Sequence, residues 1–135
     1  MIKRYLDPIR HKMEDPEGCE FMTVAMPGDI DPLERHYRFS IHLDAELRLC
    51  GLGCSSGGGT LYCEADDDAE RDEIAFCIID IEATDIGKVR ELLRLNLPEL
   101  GAPAGTLVQF GEREDAFDGE NWELDRVRSV PDPFD

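Results

Sequence analysis

Residues 37–49 read Tyr37-Arg-Phe39-Ser-Ile41-His-Leu43-Asp-Ala45-Glu-Leu47-Arg-Leu49, with an apolar side chain at every odd position and a polar one at every even position. Alternation with a period of two is the pattern of a strand that buries one face and wets the other. At about 3.3 Å per residue such a strand would extend roughly 40 Å, well beyond the common length, so the pattern predicts a bend, a bulge or a protruding hairpin arm. One solvated face also implies an antiparallel sheet.

Downstream, Gly51-Leu-Gly-Cys-Ser-Ser-Gly-Gly-Gly59 reads as a glycine-rich hairpin tip, and Thr60-Leu-Tyr-Cys-Glu64 as the returning strand. Setting Cys50 opposite Thr60 places Leu61 across from Leu49 and Cys63 across from Leu47, which makes Cys63 a core residue; a slip of one residue would reverse that assignment. Upstream, residues 21–26 are apolar and partly β-branched before Pro27-Gly28, a first strand closed by a turn, and residues 29–34 are a turn or one helical turn. Residues 1–20 are charged and aperiodic, an N-terminal arm or short helix. Residues 74–81 (Ile-Ala-Phe-Cys-Ile-Ile-Asp-Ile) are apolar at both parities and predict a central strand covered on both faces. Thr84 or Asp85 can cap a helix over about 85–97, with Ile86, Val89, Leu93 and Leu97 on one side and Pro98 or Gly101 at its end. Residues 106–110 form a last strand, and residues 111–135, acidic with Trp122, Pro131 and Pro133, an irregular C-terminal tail. The whole is a single α+β domain over 1–135, a two-layer, mostly antiparallel sheet of four or five strands with one main helix on one face. The second face is left for the arm, the tail or a partner, including a second copy in a homodimer.

The chain has 135 residues, with 14 Lys+Arg against 31 Asp+Glu for a net charge of −17. That field repels phosphate backbones and anionic lipid, so neither a nucleic-acid nor a membrane partner is expected. The first residues lack the apolar run of a signal peptide, and no stretch approaches the roughly 18 apolar residues of a spanning helix. Five cysteines, an odd number in a chain of this size, fit reduced thiols, and the expected location is cytoplasmic.

Most chemical signatures are incomplete. The glycine-rich segment lacks the Gly-Lys-Ser/Thr ending of a phosphate loop and the third glycine of a dinucleotide fingerprint. Cys50, Cys54 and Cys63, with His36 and His42, are the residues of an alternative reading as a small cysteine-dependent or metal-binding protein, although their spacing is irregular and the assumed register points Cys50 and Cys63 to opposite faces. Cys54 beside Ser55 and Ser56 needs a base that only His11, His36 or His42 could supply. The acidic run of Asp66, Asp67, Asp68, Glu70, Asp72 and Glu73 lacks the central glycine of a calcium loop. No catalytic residue, metal ligand or cofactor is assigned, and whether the chain is an enzyme is left open.

Charge distribution carries more. Segments 64–73 and 112–125 each hold seven acids and one arginine, net −6 apiece. If they adjoin, Asp66, Asp67, Asp68, Glu70, Glu112, Glu114, Asp115 and Asp118 form one anionic surface for a basic protein. The stretches Gly51-Leu-Gly-Cys-Ser-Ser-Gly-Gly-Gly-Thr-Leu-Tyr-Cys-Glu64 and Leu92-Leu-Arg-Leu-Asn-Leu-Pro-Glu-Leu-Gly-Ala-Pro-Ala-Gly-Thr-Leu-Val-Gln-Phe110 resemble small bacterial immunity-type proteins of polymorphic toxin systems, over roughly residues 36–110. What the resemblance implies is neutralisation of a cognate toxin by binding, often with an acidic surface turned to a basic nuclease. The expected function is therefore a non-enzymatic, acidic, immunity-like binding protein.

Overall fold

The computed structural model describes residues 19–28, 30–62 and 74–129. Their elements are β1 (Glu20–Pro27), a helical run over residues 32–49 that we call α1, β2 (Gly53–Tyr62), β3 (Ile74–Ala83), α2 (Ile86–Glu99), β4 (Leu107–Phe110), β5 (Arg113–Phe117) and β6 (Trp122–Val127). The strands form one antiparallel six-stranded sheet in the order β2-β3-β1-β4-β5-β6. This is an α+β domain with an antiparallel sheet, and both helices pack on the same face.

The long alternating strand expected over residues 37–49 is not there. The stretch is helical, α-helical over Pro32–Glu34 and Ile41–Leu49 and π-helical over Arg35–Ser40, where the Ile41 N–H reaches back five residues to the His36 carbonyl. The physical reason is that residues two apart on a helix lie on opposite sides of it, while residues four apart stack. The odd positions are thus two interleaved stripes. Phe39, Leu43 and Leu47 are buried in the core. Tyr37, Ile41, Ala45 and Leu49, extended backwards by Leu33, face outward, with Tyr37 at 64% and Leu49 at 68% exposure. The helix signals stand just upstream: Asp31 caps the Leu33 N–H at 2.8 Å, Pro32 occupies the first turn and Glu34 is acidic there. Ion pairs four residues apart, Glu34–Arg38 at 2.7 Å and Asp44–Arg48 at 3.0 Å, support it further. Gly51 (φ +67) ends the run, with the Leu52 N–H on the Leu47 carbonyl at 2.9 Å.

The glycine-rich segment is likewise not a hairpin tip but most of β2, an edge strand paired with β3 from Gly53↔Ala83 to Tyr62↔Ile74. The Cys50–Thr60 register therefore falls away: Cys50 ends α1, and Thr60 lies opposite Cys77. Close approach explains the composition. A Cβ on Gly53 would stand 1.9 Å from the Glu82 carbonyl oxygen, and one on Gly58 2.3 Å from that of Ile78. Cys63, expected in the core, lies outside the described residues, as do the 64–73 connection and residues 1–18 of the expected arm.

The other expectations fare better. β1 and β3 are found within one or two residues of the predicted strands, and Cys77, Ile78 and Ile79 are buried on both faces of β3, although β3 stands second from the edge, beside β2, and not at the centre of the sheet. α2 is capped by the Asp85 carboxylate on the Lys88 N–H at 3.1 Å; it runs through Pro98 and is ended by Gly101 (φ +92). The first face of the sheet joins Met22, Val24, Met26, Ile79, Ile81 and Val108 to Phe39, Leu43 and Leu47 of α1 and Val89, Leu93 and Leu97 of α2. Arg38 ties the helices together by donating to the Leu100 carbonyl at 3.0 Å. On the second face Ala25, Ile78 and Leu107 form a smaller cluster with Phe76 and Ala116. The expectation of an irregular tail is corrected over its described part, where residues 113–127 form the hairpin β5–β6 and extend the sheet to six strands.

Candidate partner-binding groove

Alternation along β5 sends neighbouring acids to opposite faces. Asp115 points to the helical side and is fully buried. It accepts from Arg90 at 2.9 and 2.6 Å and from Arg94 at 3.0 Å, two α2 residues one turn apart. Arg90 also stacks on Phe110, 4.1 Å from the ring centroid. The last acceptor site of Asp115 takes the Asp125 N–H at 2.9 Å. Across from Asp115 the ladder skips from Glu114↔Arg126 to Ala116↔Glu123, so β6 bulges, and Asp125 adopts a φ of +51 there, uncommon for a side-chain-bearing residue. That conformation delivers its N–H to the buried carboxylate. Burial pushes the Asp115 carboxyl up, but the Arg90, Asp125 and Arg94 hydrogen bonds outweigh it and hold it below its ordinary range.

Glu114 faces the second side and is equally buried. It accepts from Arg126 at 2.7 Å, from the Ser129 N–H and hydroxyl at 3.0 and 2.8 Å and from Gln109 at 3.3 Å. Burial raises its pKa, and the Ser129, Arg126 and Gln109 bonds together bring it below the usual carboxylate value. Two acids expected on the docking surface are thus interior struts, because a buried carboxylate persists only when its acceptor sites are filled.

The struts shape what stands beside them. Over the second face lies a groove of about 370 Å³. Phe76, Leu107 and Ala116 form its apolar floor, with Phe117 at its end, and Asp118, Glu123, Arg126 and Ser129 its polar margin. Arg126 pairs closely with Glu114 at 2.7 Å and more loosely with Glu123 at 3.4 Å, so one cation serves two carboxylates and, with Asp118, the exposed margin keeps an excess of negative charge. Asp118 is held in place by the Glu120 and Asn121 N–H groups at 2.8 and 2.7 Å. The Asn121 bond first, then that of Glu120, lowers its pKa, so it is ionised at neutral pH.

Of the expected docking acids, then, Asp118 sits at the groove and Glu112 is exposed at the far end of β5, in the β4–β5 turn. Asp66, Asp67, Asp68 and Glu70 lie outside the described residues. Glu123 lay within the acidic 112–125 segment without being singled out, and the floor was missed because its residues come from three strands. The cysteine set of the alternative reading is not drawn together over its described members: Cys50 is exposed, and Cys54 is buried with its thiol donating to Glu82 at 3.3 Å. His36 and His42 project from the exposed sides of α1. Among the described residues no group of three His, Cys, Asp or Glu side chains is placed to hold a metal ion, and no helix is long and apolar enough to cross a membrane. No family model, curated protein or solved structure matches this chain.

Proposed function

We propose that the chain is a non-enzymatic binding protein that holds a basic protein partner, in the manner of an immunity protein against a toxin. The observation that carries this reading is the groove with an apolar floor and a carboxylate margin. A lysine or arginine side chain fits that combination, its aliphatic stem on Phe76, Leu107 and Ala116 and its cation against Asp118 and Glu123. The net charge of −17 supports the same reading, since it accelerates encounter with a cationic surface in a way that salt suppresses. Internal bracing by Glu114 and Asp115 keeps the margin in place before the partner arrives, which lowers the ordering cost of association.

The test presents the immobilised chain to basic proteins encoded by neighbouring genes. The expected result is one partner whose affinity falls as salt rises. The double variant Asp118→Asn/Glu123→Gln should weaken it about tenfold and flatten the salt dependence. A partner bound equally by that variant, or with an affinity indifferent to salt, would refute the reading.

A further inference from the structure

At the β2 edge of the sheet, across the strand order from β5 and β6, two irregular backbones face each other. One is the π-helical turn Arg35–Ser40. The other is a bulge in β2, where the pairing passes from Ser55↔Ile81 to Gly57↔Asp80 and leaves Ser56 without an opposite. Both kinds of irregularity are over-represented at functional sites. Between them is a cleft of about 340 Å³ lined by Arg35, Ser40, Asp44, Ser55, Ser56 and Gly57, among others.

Beside Ile41 and His36, which also line this cleft, its polar groups are chiefly donors. Arg35 gives one N–H to the Gly59 carbonyl at 3.1 Å and hydrogen-bonds the buried Cys77 thiol, and among the described residues it forms no ion pair with a carboxylate, so part of its five-donor fork remains for a ligand. Its guanidinium lies against β2 because residue 58 is glycine: a Cβ there would stand 3.3 Å from Nε. Asp44 is the one carboxylate in the lining. It is already engaged by Arg48 Nε at 3.0 Å and by the Ser55 N–H at 2.8 Å. The hydroxyls of Ser40, Ser55 and Ser56 complete the lining. A planar five-donor cation beside serine side chains is a donor set for an oxyanion. We propose that the α1–β2 cleft binds a small oxyanion, a phosphate or a carboxylate, on Arg35 with the serine hydroxyls around it. This is a second site, independent of the groove on the other part of the sheet.

The experiment titrates the isotope-labelled full chain with inorganic phosphate and, separately, with acetate at low ionic strength, following the backbone amides of residues 55–58. Saturable shifts there are expected. Phosphate alone saturating assigns a tetrahedral ligand, and acetate alone a carboxylate. Arg35→Gln should weaken binding about tenfold or more, while Arg38→Gln, on the same helix but paired with Glu34, should leave it unchanged. Saturation by neither anion, or equal affinity in Arg35→Gln, overturns the proposal. Should Arg35→Gln fail to fold, Ser56→Ala at an exposed position takes its place: a loss of about threefold supports the site, and an unchanged affinity overturns it.

Discussion

Asp115 shows how far a single side chain can depart from its residue type. It is a carboxylate with no solvent exposure, satisfied by two arginines whose side chains keep 20% of theirs. Removing its charge would strand two cations in a poorly hydrated site, and breaking a buried pair in that way is strongly destabilising. Asp115→Asn should therefore cost about 3 kcal/mol in urea unfolding, toward the low end because the arginines retain some water. Asp125→Asn removes a partner of Arg113 at an exposed pair and should cost less than about 1 kcal/mol. None of this was legible in the acidic run 112–125, because the buried Glu114 and Asp115 differ from the exposed Glu112 and Asp118 only in what the fold brings against them. The one local hint was a pair of arginines, Arg90 and Arg94, four apart on the predicted helix.

Among the elements, α1 is the instructive case. An apolar residue at every second position satisfies a strand of period two, but it satisfies equally a helix that buries one four-residue stripe and exposes another. The reading as a strand rested on the alternation alone. The capping signals at Asp31, Pro32 and Glu34, and the scarcity of β-branched residues between 37 and 49, pointed the other way. Adjacent odd positions now have opposite fates, and that is measurable. Leu43→Ala should lose about 2–5 kcal/mol by opening a cavity under the sheet, whereas Ile41→Ala should change stability by less than about 1 kcal/mol. Equal losses at the two positions would contradict the helix. By contrast α2, β1 and β3 were readable because each carries an unambiguous signal, a 3.6-residue apolar face or an apolar run too short for a helix.

For the molecule as a whole, charge works in two directions. Lowering pH from neutrality first relieves the self-repulsion of a chain carrying −17. Glu114 and Asp115 act oppositely: both titrate below their ordinary values in the folded state. Their stabilisation is fully present above the unfolded carboxylate range of about 4 and is lost as pH falls through the lower folded values. Stability followed by thermal unfolding should thus hold or rise from neutral pH to about 5 and fall steeply below about 4. In the Asp115→Asn variant the acid fall should be shallower. Sequence alone determined the α+β class, the doubly buried strand β3, the capped second helix and the excess of acid, because these depend on local periodicity, capping chemistry and composition. Only the tertiary structure decided that residues 37–49 are helical, that a glycine-rich stretch pairs as an edge strand, and that Glu114 and Asp115 lie inside while Asp118 and Glu123 line a groove. Each of those outcomes turns on which backbone or charge arrives from a distant part of the chain, and no local pattern records that.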